Sequence, residues 1–251
     1  MHTPAFSPDA TPSTVPAPAP AVGAGLLLIA VGAMAFAPLA VLAPSIGWPA
    51  SLGLPAAEQL ALVRAHPGAV TLGYALYLLY SLGVTPAMLL LAHHSLGSLA
   101  RPAAATAVAF AALSSLARAI GISRWLTTMP VLAAAWAAAD AAGKPMIELS
   151  FLAVTKFGGG VGELLGVSLF MAVAVGVLSA AAWRQRSLPR SLSALGLLSA
   201  GFLAALALPA LGLPVDFPVA VAVSTQSVWL IACGVWLLVR KPAAGGSGTA
   251  P

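Results

Sequence analysis

The sequence predicts an all-α polytopic membrane protein, a bundle of six transmembrane helices with both termini cytoplasmic. Three observations carry that prediction. Hydrophobic residues make up 60% of the 251-residue chain and charged residues only 7%, whereas soluble domains are about half apolar and a quarter charged. The apolar residues gather into runs of about 20, enough to cross a hydrocarbon layer of about 30 Å at a rise of about 1.5 Å per residue. Lysine and arginine collect at the ends of alternate runs, as the positive-inside rule requires.

Residues 1–21 contain six prolines and no lysine or arginine. They read as a disordered cytoplasmic tail and lack the basic start of a secretory signal. The first span is expected at Val22 to Ala43, uncharged throughout. A polar connection from Pro44 to Gly68 leads to a second span, Ala69 to Ala92, followed by His93, His94 and Arg101. The third runs from Ala103 through Arg118 to Arg124 and Trp125, and the fourth from Gly159 to Trp183, closed by Arg184, Arg186 and Arg190. Leu192 to Leu213 and Val219 to Val239 complete the set, and residues 242–251 read as a flexible tail in a domain of 22–241.

With both ends inside, the inner segments hold Arg101, Arg184, Arg186, Arg190, Arg240 and Lys241, while the short outer links hold only Arg64. The stretch from Met129 to Phe157 resists this map. Its apolar part, Met129 to Ala139, is too short to span, and Asp140, Lys144 and Glu148 interrupt the residues after it. An outward extension of the third helix, broken near Pro130 and leading into an interfacial or re-entrant hairpin, is one reading, and a seventh span is the other.

Composition also excludes function classes. The single cysteine, Cys233, lies in an apolar run, so there is no disulfide framework or cysteine metal site. His2, His66, His93 and His94 lie outside the spans, which argues against an intramembrane haem. No cofactor is expected. A net charge of +5 reflects basic residues at helix ends, not a nucleic-acid surface.

The informative polarity lies between Ser114 and Gly166. An arginine and a glutamate within apolar helices are costly in lipid, and each needs a partner, so Arg118 and Glu163 form the first candidate pair. Counting along the helices brings Tyr74 and Gln226 to the same layer near the outer face. Arg118 pairing with Glu163 only to fix helix register weighs about equally with a ligand site, and Arg124 is the alternative partner of Glu163. Tyr74, Tyr77 and Tyr80 recur at three-residue steps, more often a packing stripe than a ligand wall. Gly158, Gly162 and Gly166 fall four apart and point first to close helix packing.

The run Gly121-Ile122-Ser123-Arg124-Trp125, the segment Gly162-Glu163-Leu164-Leu165-Gly166, and the stretches Leu188-Pro189-Arg190-Ser191-Leu192 and Trp236-Leu237-Leu238-Val239-Arg240-Lys241 resemble a widespread bacterial membrane family known only as a domain of unknown function. The resemblance covers residues 20–241. It implies a helical polytopic fold in a bacterial inner membrane and no established reaction. Related sequences often carry a histidine where this chain has Leu164 or Leu165, and that departure argues against a proton-relay or metal role here.

The function expected from these residues is binding or transport of a small molecule or lipid headgroup in an intramembrane polar pocket. Arg118 would hold an anion, Glu163 would be its counter-charge, and Tyr74, Tyr77, Arg124 and Gln226 would line the site. A membrane-surface enzyme using Glu163 as general acid or base is one rival, although no nucleophile with an adjacent base is found. An accessory subunit that docks a partner helix, or a homo-oligomer, is the other.

Overall fold

The computed structural model describes residues 21–96, 100–215 and 217–240. The tails expected at 1–21 and 242–251 lie outside the described residues except for Ala21, as do Asp216 and Lys241. The described chain is helical, with α1 (Val22–Met34), α2 (Ala37–Ile46), α3 (Ala56–Ala65), α4 (Pro67–Ser95) and α5 (Arg101–Ala138) in its first half. It continues with α6 (Lys144–Gly159), a π-helical segment (Gly160–Phe170), α7 (Met171–Gln185), α8 (Arg190–Ala205) and α9 (Val219–Val239).

Five helical stretches are long and apolar enough to cross a membrane: Val22–Ile46, Pro67–Ser95, Arg101–Ala138, Lys144–Gln185 and Val219–Val239. Among the described residues a shorter apolar helix, α8, accompanies these five. Large side chains such as Leu72, Leu79, Leu82, Leu116 and Val228 are exposed along these stretches, because acyl chains rather than water are their solvent.

Local chemistry moves several expected boundaries. The first span is two helices. Pro38 has no N–H to give the Met34 carbonyl, and the chain makes a single tighter turn there, with the Phe36 amide donating to Ala33 at 3.1 Å. The fifth span ends as an α-helix at Ala205, because Leu206, Ala207 and Leu208 already donate three residues back and Pro209 cannot donate at all.

The stretch from Met129 to Phe157 keeps the outward extension and hairpin but not the break. Helix α5 continues through Pro130 to Ala138, so no break occurs there. A turn then reverses the chain, its Gly143 amide donating to Asp140 Oδ1 at 2.8 Å. Across this hairpin the Trp136 indole donates to Glu148 Oε1 at 2.8 Å, and the Lys144 ammonium lies 4.5 Å from the Trp136 ring centroid. The residues that interrupt the apolar pattern are those that staple a helical hairpin.

Helix lengths divide the molecule into two levels. Helix α9, with 21 residues, matches one bilayer thickness and α8, with 16, falls short of it, whereas α5 has 38 residues and α6 through α7 runs for 42 without interruption. At about 1.5 Å per residue, both overshoot a 30 Å layer by about 25 Å or more. One core, including Leu28, Met88, Leu91, Met171, Leu178 and Trp229, fills the bilayer part. A second core, including Leu42, Leu60, Val70, Trp125, Met129 and Phe151, fills the projecting lobe. There α3 packs across α5 and α6, and Gln59 donates through Nε2 to the Leu54 carbonyl at 2.7 Å, fixing the loop before α3.

Both described ends lie on the opposite, basic face. Gly25 and Gly234 bring α1 and α9 together, and Arg240 donates through Nη1 to the His94 carbonyl at 2.7 Å, joining the ends of α9 and α4. Arg101, Arg184, Arg186 and Arg190 stand at helix ends on that same face, the cytoplasmic one by the positive-inside rule.

Helix α5 meets the π segment along glycines. A Cβ on Gly121 would lie 2.8 Å from the Gly162 Cα and 2.9 Å from the Gly158 carbonyl, so only hydrogen fits. A Gly121→Leu substitution should therefore cost about 1–3 kcal/mol by overpacking, read as a lower unfolding midpoint in detergent. Gly160, with open space around it, should accept alanine without loss.

Candidate functional site

The glycine seam lets two arginines of α5 lie against the helix opposite. A Cβ on Gly166 would sit 2.9 Å from Arg118 Cγ, and one on Gly158 would collide with the Arg124 guanidinium. Gly158, Gly162 and Gly166 thus form the floor on which Arg118, Gly121 and Arg124 rest. Ser114, one turn before Arg118, donates to the Gly166 carbonyl at 2.7 Å and pins the register. Glu163 projects from the π segment between these contacts. A π-helix in mid-span displaces side chains from their α-helical positions and is frequent at functional sites.

Arg118 is only 2% exposed. Its Nη1 donates to the Tyr80 hydroxyl at 3.2 Å, and the guanidinium carbon lies 5.6 Å from the Tyr80 ring centroid. Its Nε and Nη2 have no hydrogen-bond partner among the described residues. The pairing of Arg118 with Glu163 expected from the sequence is therefore not made as a hydrogen bond. Glu163 is exposed on the surface of its helix, with its Oε1 turned back toward Gly159. Its foremost charged neighbour is Arg124, then Lys156. Arg124 itself donates through Nη1 to the Gly121 carbonyl at 2.8 Å, with Nε left unpartnered.

Aromatic rings close the site from α4 and from the loop after α2. Tyr74 stacks on Trp125 with centroids 4.7 Å apart and planes 3° from parallel. Tyr77 packs between Tyr80, at 6.1 Å, and Trp48, at 6.2 Å. The Tyr74 hydroxyl is buried beside the Trp48 indole without a hydrogen bond of normal geometry. Counted from the basic ends of their helices, Tyr80, Tyr77, Arg118, Glu163 and Tyr74 lie between about 22 and 33 Å up. They occupy the boundary between the bilayer core and the projecting lobe.

Gln226 is placed elsewhere. It is fully buried on α9, whose principal neighbours are α1 and α8 rather than α4 and α5. Its amide oxygen and nitrogen are unpartnered, as are the hydroxyls of Ser179, Ser193 and Ser199 on α7 and α8. Trp125, at the expected end of the third span, is 4% exposed and belongs to the core of the lobe. The tyrosine spacing carried the signal for Tyr80. Nothing in the sequence pattern marks Trp48, which reaches the site from a loop.

Among the described residues, no group of three histidine, cysteine or acidic side chains is placed to hold a metal ion. The family model described as Domain of unknown function (DUF4386) matches residues 22–240. The chain belongs to the DUF4386 family. Neither the curated proteins nor the solved structures contain a match to this DUF4386 chain. The matched range takes in both cores and the whole cluster around Arg118.

The geometry separates a structural ion pair from an unfilled charge. Removing one member of a buried ion pair costs about 3–5 kcal/mol because it strands the other charge, whereas a charge buried without a counter-charge already carries its desolvation cost, which an apolar group of similar volume relieves. Arg118→Met should therefore keep or raise the unfolding midpoint of the ligand-free protein in detergent. Glu163→Gln, at an exposed position, should stay within about 0.5 kcal/mol of the parent.

Proposed function

We propose that this DUF4386 protein binds a small anionic ligand, a carboxylate or phosphate that includes a lipid headgroup, at Arg118 on the non-basic side of a bacterial inner membrane. The observation that carries the reading is the pair of unpartnered donors on Arg118. Nε and Nη2 form one edge of the guanidinium, and their parallel N–H groups match the two oxygens of a carboxylate or phosphate. Tyr80 occupies only Nη1, so that edge stays available without disturbing its existing bond.

Electrostatics support the same ligand charge. No carboxylate hydrogen bonds to Arg118 among the described residues, and burying an uncompensated guanidinium is costly. An anion would complete the site. Arg124, lying on the same glycine seam over Gly158, adds a second positive charge, and Glu163 beside it restrains the total. The aromatic walls suit an occupant with an apolar body. Passage of the ligand across the membrane is the further role this site would serve in a transporter.

Native mass spectrometry of protein released from mild detergent tests the reading. Wild-type protein should carry an anionic adduct that Arg118→Met loses and Arg118→Lys holds at least ten-fold more weakly, because a bidentate charge-assisted contact is worth about 1.5–3 kcal/mol. Equal adducts on wild-type protein and the folded Arg118→Met variant, or no adduct on either, would sink it.

A further inference from the structure

A second site lies at the other face of the bilayer. Between the C-terminal turns of α4 and the N-terminal turns of α5 runs a groove of about 640 Å³, lined by residues that include Leu89, Leu96, Ala105, Val108, His93 and Arg101. Its walls are apolar along a depth of about 12 Å, from Arg101 to Ala109 at about 1.5 Å per residue. Alanines make the room. Ala92, Ala104, Ala105 and Ala109 line it where larger side chains would fill the space.

Charge is confined to the mouth. Arg101 and His93 are both exposed there, and among the described residues no acidic side chain lines the groove. Arg240, held through Nη1 on the His94 carbonyl at 2.7 Å, brings another guanidinium to the same end of α4. A basic mouth over a narrow apolar trough, at the level where headgroups meet acyl chains, complements one class of molecule in both charge and polarity. Basic pockets between helices on the cytoplasmic side bind phospholipid headgroups by this chemistry.

We propose that the α4–α5 groove holds an acyl chain of an anionic phospholipid, with its phosphate against Arg101 and His93. The proposal is independent of Arg118, which lies about 26 Å farther along α5. The lipid fills a trough that the short side chains of α5 leave open, and ties α4 to α5 at their basic ends.

Native mass spectrometry after exchange into mixed micelles of equal phosphatidylglycerol and phosphatidylcholine provides the test. Wild-type protein should retain phosphatidylglycerol about five-fold over phosphatidylcholine, the preference expected of a single basic side chain near the membrane surface. Arg101→Gln should bring the two lipids close to parity. Ala105→Trp and Ala109→Leu should lower retention of both lipids; each position is exposed, so the added bulk enters the groove rather than the core. Elution volume and helicity report that each variant is folded. Equal retention of the two lipids by wild-type protein, or an unchanged preference in Arg101→Gln, would overturn the proposal. So would stabilisation by glycerol 3-phosphate alone matching that by phosphatidylglycerol, since the chain would then contribute nothing.

Discussion

The near-contact of two backbones at Gly121 and Gly162 is the constraint on which the rest of the molecule depends. Without hydrophobic driving force between helices in lipid, close packing must supply the association energy, and small residues permit it. Here the seam does more than join helices. It brings α5 so close to the π segment that Arg118 and Arg124 must lie along the glycine floor, where their long stems replace the missing side chains. Two cations are thus held at the edge of the hydrocarbon, and Ser114 fixes the register at which they arrive.

That placement explains why the helices differ so much in length. Helices α4, α5 and α6 continue past the bilayer and build a second core, closed by α3 and the loop carrying Trp48. The lobe covers the cationic layer from the side opposite the basic face. Trp125 stacked on Tyr74, and Trp48 against Tyr77, shield the guanidinium groups from the lobe side. Charge buried between two apolar cores is electrostatically demanding, and the aromatic faces answer part of that demand through cation–π contacts of about 0.5–2 kcal/mol.

The two faces of the membrane carry different chemistry as a result. On the basic face, charge stands at helix ends and opens onto headgroups. On the other, Arg118 is enclosed, with Glu163 and Lys156 at the surface nearby. This asymmetry follows from composition: arginines at helix ends keep their hydration, while Arg118 in mid-helix can only find partners from neighbouring helices.

The sequence by itself determined the fold class and marked the apolar stretches able to cross a bilayer, because apolar run length answers directly to bilayer thickness. It also marked Arg118, Glu163 and the glycine series, since polar or small residues in apolar helices are costly or weakly packing unless something nearby uses them. Only the tertiary structure decided who meets whom. Glu163 turned toward Arg124 and away from Arg118 because the π segment shifts side chains off their α-helical positions, which no residue count anticipates. Gln226 shared a depth with Arg118 but not a neighbour, since depth follows from a helix's own length and azimuth from how helices pack. The hairpin from Met129 to Phe157 stood in the sequence only as one alternative beside a seventh span: its polar residues satisfy each other across a turn, and a one-dimensional pattern records them only as interruptions.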